Sequence, residues 1–416
     1  MMDMLRERWK IFTFRAYVLY FWGTTVSMFG TGMQFIANSW LVLQITGSNI
    51  SVAWVLICSS IPGIFLSPSI GVLVDRLDRK WLAASMDLAR ACVLIAIPIF
   101  WWLGSLQAWH LYLISFLIAV GDQVYNPTVM ALIRELIPKE MLLSANTTSG
   151  IANQMGALLG SGLAGILITL FSPVIIMWIN AASFVVSAVC ILQMRKGILL
   201  PTPSENRTGN GWGAFLGNLF EGGTYIQQHR DIIPKYLMML FLVATLRTIN
   251  VLLAPFAKGV LTVGSKGFGY IDAAFAAGAL CGGFFLPMLV RKFGRNVIMT
   301  AGMLGLSGSL FFFACSMQLW MAMTGYFLIG LTFQVRLLYL TSAQESIEVE
   351  YQGRVHSTFN TFFSLASLGI YLLMSVLGEL YSIRLLYVLQ GGLILIAGFM
   401  AFWMFMHKEE KRYVES

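Results

Sequence analysis

Asp122 stands in the middle of a long apolar run, within Gly121-Asp122-Gln123-Val124-Tyr125-Asn126-Pro127. A charge inside a membrane-spanning segment is costly and marks function by default. A carboxylate at that depth is desolvated, which favours its neutral form and suits a proton carrier. The competing reading is a structural ion pair, for example with Arg247 or Arg336, which also lie inside apolar runs. These two arginines suit an anionic substrate, or release of the Asp122 proton by pairing with it. Fixed interhelical salt bridges are their alternative role. Asp272, near the outer end of its run, is a second candidate for proton coupling. Pro127 is expected to break or bend its helix and expose backbone carbonyls to a cavity.

Uncharged polar residues inside apolar runs usually face inward. Gln34 and Asn38 are four apart and share one helical face. Gln123, Tyr125, Asn126, Asn153, Gln154, Asn250 and Asn360 are further candidates for a substrate cavity. Hydrogen bonding between neighbouring helices is the plainer use of such residues.

Other chemistry has little support. Cys58, Cys92, Cys190, Cys281 and Cys315 fall one per apolar segment without metal-ligand spacing and read as small core hydrophobes. His110, His229, His356 and His407 are scattered. There is no nucleophile–base motif and no G-x-x-x-x-G-K-[ST] phosphate loop, so neither an enzyme nor ATP drive is expected. No cofactor or metal is expected either.

The elements that carry these residues are legible from charge. The chain has 416 residues, 58% hydrophobic and only 11% charged, against about 25% charged in a soluble domain. Lipid must therefore be its solvent. Residues 16–74 hold no Asp, Glu, Lys or Arg. A bilayer core ~30 Å thick needs about 20 apolar residues per helix. So this stretch makes two helices, with a turn at Thr46-Gly47-Ser48-Asn49. Runs with few or no charges mark twelve spans: 16–44, 50–74, 81–103, 108–132, 144–170, 173–194, 235–258, 268–290, 296–316, 319–341, 355–379 and 381–406. The expected fold is an all-α membrane protein of two pseudo-symmetric six-helix bundles. Its parts are an N-terminal half (1–194), a connector (195–234), and a C-terminal half with its tail (235–416). Trp212, Phe215, Leu216, Leu219, Phe220 and Ile226 give the connector helical spacing, which fits an interfacial helix or a linker helix. Trp101, Trp102, Trp109 and Trp178 fit an interfacial belt.

With the N-terminus in the cytoplasm, cytoplasmic segments hold 21 of the 27 Lys and Arg. Lys258, Lys266 and Arg384 lie opposite; Arg90, Arg247 and Arg336 lie inside spans. That bias places both termini inside, and accounts for the net charge of +8 without nucleic acid. The basic start runs into an apolar stretch far longer than a signal h-region, so the first helix is expected to stay in the membrane. The halves also repeat. Leu73-Val74-Asp75-Arg76-Leu77-Asp78-Arg79 matches Leu289-Val290-Arg291-Lys292-Phe293-Gly294-Arg295 at an offset of 216, and Phe116 to Val124 matches Phe327 to Val335 at an offset of 211. Similar halves around a midplane site are the usual build of secondary transporters.

A dense charge cluster separates spans two and three: Gly71, Asp75, Arg76, Asp78, Arg79 and Lys80. Gly71 lets helices approach closely, and Asp75 suits pairing with a basic residue or capping a helix N-terminus. The cluster reads as a gate latch, or as basic residues that only set topology. Asp87 and Arg90, three apart near the inner end of span three, are grouped with this latch rather than with the substrate site.

The cluster resembles the G-x-L-x-D-R-x-G-R-K loop of the major facilitator superfamily. Asp78 replaces the glycine of that pattern, which is similar to the bacterial branch of macrolide-efflux and enterobactin exporters. Ala131-Leu-Ile-Arg134-Glu135-Leu-Ile-Pro138 with Ala145-Asn146, Glu221-Gly222-Gly223-Thr-Tyr225 and Gly353-Arg354-Val355 resemble that branch as well. Drug–proton antiporters of the superfamily carry G-x-x-x-G-P-x-x-G-G in span five. Here it reads Gly156-Ala-Leu-Leu-Gly160-Ser161-Gly162-Leu-Ala164-Gly165. The small-residue interface is kept and the bending proline is missing.

The resemblance implies alternating access and proton-coupled export of an amphipathic small molecule such as a drug or siderophore, from the bacterial inner membrane. Expected partners are the small-molecule substrate, protons and membrane lipids, with no nucleic acid, and the chain is expected to act as a monomer. Metabolite uptake, lipid movement and a non-transporting receptor or scaffold are the competing readings. The in-span carboxylate and the branch resemblance favour export.

Overall fold

The computed structural model describes residues 11–138, 141–194, 212–348 and 351–414. Among them there are fourteen α-helices and no strand. These are α1 (Arg15–Thr46), α2 (Asn49–Arg76), α3 (Arg79–Trp102), α4 (Ala108–Leu136), α5 (Leu142–Leu170), α6 (Pro173–Gln193), α7 (Trp212–Gln228), α8 (Ile233–Pro255), α9 (Gly264–Phe293), α10 (Arg295–Ala314), α11 (Leu319–Phe333), α12 (Val335–Glu345), α13 (Gln352–Leu380) and α14 (Ile383–Val414). The chain divides into two compact units, one of Met1–Gly47 with Trp54–Phe215, the other of Ser48–Ala53 with Leu216–Ser416.

Local sequence sets the helix ends. Gly47 closes α1 with φ +68°, and its N–H reaches the Leu43 carbonyl at 3.0 Å. Glycine takes this left-handed conformation without a Cβ penalty. Asp78 caps α3, its Oδ1 accepting from the Lys80 and Trp81 N–H groups at 3.0 and 3.4 Å. Ser172 caps α6 ahead of Pro173, which fills a first-turn position that needs no N–H. His110 opens α4, its Nδ1 accepting from the Gln107 N–H at 3.0 Å, so this scattered histidine is a cap.

Nine helical stretches among the described residues are long and apolar enough to cross a membrane. Sequence reading counted twelve spans. Within α2 and α5 the described residues include the shorter apolar stretches Ile50–Gly63 and Leu159–Leu170. Helix α1 is long enough, but Thr24, Thr25, Ser27, Thr31, Gln34, Asn38 and Ser39 dilute it. Trp101, Trp102, Trp109 and Trp178 are all exposed.

Two helices differ from expectation. Helix α4 runs unbroken through Pro127. The break falls instead in span ten, at Gln334 between α11 and α12. No proline marks it. Span seven ends in a π-helical turn, Phe256–Val260.

Within the first unit α1 packs on α5 and α6, and α3 on α4 and α6. Within the second, α8 packs on α13 and α14, and α10 on α11 and α14. These pairings match span for span, so the sequence repeat is also a repeat of packing. Small residues bring the backbones close. A Cβ on Gly160 of α5 would collide with the Phe29 carbonyl of α1, and one on Gly330 of α11 with the Phe275 carbonyl of α9.

Candidate functional site

Three charges meet inside the first unit. Arg90 of α3 donates Nη2 to Asp87 Oδ1 one turn back, and Nη1 to Asp122 Oδ1 on α4. The side chains of Arg90 and Asp87 are 3% and 0% exposed, while that of Asp122 is 39% exposed. The group therefore has two buried members and one that reaches open space. The guanidinium lies between two aromatic rings, 4.2 Å from the centroid of Tyr125 and 4.4 Å from that of Phe184 on α6. Such stacking suits a delocalised cation removed from water. Tyr125 is fixed in turn by its hydroxyl, 3.3 Å from Ser187 Oγ.

The sequence around Asp122 builds this arrangement. A Cβ on Gly121 would stand 2.7 Å from Arg90 Cγ, so glycine leaves the passage for the arginine stem. Asp122 then meets the guanidinium and Tyr125, one turn on, covers its face. With all three groups ionised, two carboxylates share one cation and the cluster carries one net negative charge. The partner of Asp122 is thus Arg90 of its own unit, where sequence reading had suggested Arg247 or Arg336. Arg90 itself, grouped there with the latch, belongs to the Asp122 cluster. A spacing of 32 residues between helices is invisible to short-range pattern.

Asp122 opens onto a cavity of about 310 Å3. Gln34 and Asn38 of α1, Ser59 of α2, and Ser115 and Gln123 of α4 are among its polar lining. Asn38 Nδ2 donates to Ser115 Oγ at 3.4 Å, and its buried Oδ1 has no partner among the described residues. Gln34 Oε1 accepts from Asn180 Nδ2 of α6. The structure thus brings together four sequence candidates: Gln34, Asn38, Asp122 and Gln123. Tyr125 is buried under Arg90 and does not line the cavity; Asn126 is exposed; Asn153 is half-buried on α5. Ser59, Ser115, Asn180 and Ser187 were missed, since a lone serine or asparagine in an apolar helix gives no sequence signal.

The second unit keeps the scaffold and drops the charges. Gln390 of α14 bonds Thr245 of α8 at 2.9 Å and accepts from Thr248 at 3.4 Å, where Asn180 bonds Gln34 in the first unit. At the repeat offsets, Asp87, Arg90 and Asp122 become Met303, Leu306 and Phe333, all buried apolar residues. The charged cluster therefore belongs to one half only. Arg247 of α8 donates to Ser367 Oγ at 3.1 Å and Tyr371 OH at 2.9 Å on α13. Arg336 of α12 is half-buried, 5.9 Å from the Phe333 ring centroid. Asp272 of α9 and Asn250 of α8 are half-buried, and Asn360 of α13 is exposed.

Of the loop cluster, the packing of Gly71 and the side chains of Asp75 and Arg76 lie outside the described residues, as do the packing of Gly353 and the side chains of Arg134, Glu135, Asn146, Gln154 and Arg354. Asp78 is the α3 cap, and Lys80 Nζ donates to the Met194 carbonyl at 2.6 Å, past the end of α6. In the second unit Arg295, the repeat counterpart of Arg79, pairs with Glu345 at the end of α12. That hydrogen bond holds the Glu345 carboxyl below its ordinary range.

A sequence profile of a family described as transmembrane secretion effector matches residues 8–416. Macrolide efflux protein A of Streptococcus pyogenes is 22% identical over 90% of this chain and 92% of its own. The multidrug efflux pump Tap of Mycolicibacterium fortuitum is 25% identical over 40% of this chain and 42% of its own. Among solved structures, a mutant of the nucleoside transporter NupG superposes with a TM-score of 0.77 at 12% identity, covering 94% of this chain and all of that one. A bacterial homologue of the human lysosomal transporter Spinster gives 0.69 at 12% identity, covering 94% and 96%. These likenesses in fold agree with the twofold repeat of helix packing. The chain is a membrane transporter rather than an enzyme, and it belongs to the transmembrane secretion effector family of the major facilitator superfamily.

Proposed function

We propose that this transporter exports an amphipathic small molecule, a drug, a siderophore or a similar compound, by proton antiport with alternating access. The observation that carries the reading is Asp122: the most exposed member of a buried Asp–Arg–Asp cluster, facing a polar cavity. Two carboxylates sharing one guanidinium favour uptake of a single proton, because like charges in a poorly hydrated site repel. Asp122 is the member that solvent reaches. Once neutral, it holds Arg90 less firmly, and Arg90 turns to Asp87 alone. A proton would thereby loosen α4 from α3, which gives the ion gradient a handle on the helices. Gln34, Asn38 and Gln123 supply hydrogen bonds to a polar part of the cargo. The efflux activities named for relatives support the outward direction, as does the match of macrolide efflux protein A along 90% of the chain.

In this reading both termini face the cytoplasm of a bacterial inner membrane, the chain acts as a monomer, and the Gly71 to Lys80 loop with Asp75 forms a latch. Everted vesicles with a respiration-acidified lumen and a pH-sensitive dye test the coupling. Macrolides, siderophores, dyes and amphipathic cations are added in turn. One compound should dissipate the gradient in wild type and not in Asp122→Asn. Unchanged pH-dependent transport in Asp122→Asn would refute the assignment.

A further inference from the structure

Arg247 is a mid-helix cation whose partners among the described residues are all neutral. Its Nε and Nη1 donate to Ser367 Oγ and Tyr371 OH, and its Cζ lies 5.6 Å from the Tyr371 ring centroid. Ser367 sends its own proton to the Phe363 carbonyl at 2.7 Å, so its lone pair is turned to the arginine. Among the described residues no carboxylate meets the guanidinium. A guanidinium has five N–H donors in a planar fork, and two are engaged here. Contrast Arg90, which has two carboxylates and two ring faces. A charge in a membrane span is expensive, and its usual remedy is a counter-charge. Ser367 and Tyr371 aim the fork and leave that counter-charge unsupplied. A planar oxyanion is the group that a guanidinium fork fits in bidentate fashion.

We infer that Arg247, aimed by Ser367 and Tyr371, receives an oxyanion (carboxylate, sulfonate or phosphate) of the transported molecule. The inference deepens the export reading and rests on it only for the direction of movement. Joined to the antiport reading, it gives a charge balance in which one anion leaves as one proton enters, and both movements follow an inside-negative potential.

Three probes with one fluorophore separate charge from shape: dansylglycine (anionic), dansylamide (neutral) and dansylcadaverine (cationic). Binding to the purified full-length protein is read by dansyl fluorescence. Dansylglycine should bind about tenfold or more tighter than dansylamide, the scale of a hydrogen bond to a charged group. Arg247→Gln should erase that preference and leave dansylamide affinity unchanged, which also certifies the fold. Arg247→Lys, should Arg247→Gln not fold, keeps the charge and loses the fork, and should cut the preference severalfold. Tyr371→Phe should do the same. A dansylglycine affinity no better than that of dansylamide, or a preference that survives in Arg247→Gln, overturns the inference. Proton coupling is read separately in everted vesicles. A protein that binds dansylglycine through Arg247 yet moves no proton would sink the antiport reading and leave this one standing.

Discussion

Arg90 on α3 and Asp122 on α4 are ion-paired, and the glycine beside the aspartate, Gly121, is what lets the arginine stem pass. The pair makes up two of the three members of a cluster, because Arg90 also holds Asp87, whose side chain is fully buried. Removing the shared cation and removing the whole cluster are therefore opposite experiments. The first strands two carboxylates; the second leaves an apolar interior of the kind already present in the other half.

Arg90→Met should destabilise the protein by about 3–5 kcal/mol, the usual cost of breaking a buried ion pair from one side. The triple variant Asp87→Met, Arg90→Leu, Asp122→Phe copies the residues at the repeat positions and should recover most of that loss. It should not transport. Thermal unfolding in detergent, read beside the vesicle assay, checks both. A triple variant no more stable than Arg90→Met would show that the two halves are not interchangeable here.

Gly330→Val should lower stability by about 1–3 kcal/mol, because added atoms in a packed interface force a shift. The obstacle is the Phe275 carbonyl of α9, which is backbone and has no rotamer to give. Gly223→Val, in α7 with open space around it, serves as the control and should stay within the cost of helix propensity. Equal losses at the two sites would contradict the close approach.

Asp78→Ala should cost about 1 kcal/mol through loss of the α3 cap, and Asp78→Ser should restore most of it. The general superfamily pattern has glycine at this position where the resembling branch has an acidic residue, and the cap shows what aspartate does here. A melting temperature unaffected by Asp78→Ala would remove that explanation.

The exposed Arg295–Glu345 pair carries a pH signature. Arg295 holds the Glu345 carboxyl below its ordinary value. A depressed carboxyl adds stability above the unfolded value, and that increment fades as pH falls through the folded one. Wild type should thus melt slightly above Glu345→Gln at pH 7, with the gap closing in acid and narrowing in salt. A gap that widens in acid would reverse the sign of this interaction.

Charge spacing alone located the long helices, because charges and unsatisfied backbone polar groups are costly in hydrocarbon. The turn at Gly47, the repeat offsets and the in-span position of Asp122 were legible for the same reason: each is a local departure from an apolar pattern. The partners of Asp122 were not. Arg90 looked like a neighbour of the gate loop because it is ten residues from Lys80 along the chain, and only the packing of α3 on α4 carries it to Asp122. Pro127 marks α4 in the sequence, yet the helix runs through it, while the helix that breaks does so at Gln334 with no such mark. Ser115 and Asn180 acquire meaning only from the helices they face. Sequence thus determined which segments span the membrane and which charges are out of place. Tertiary structure decided which of those charges meet, because side-chain contacts between helices depend on rotation and crossing, which pattern along one helix does not record.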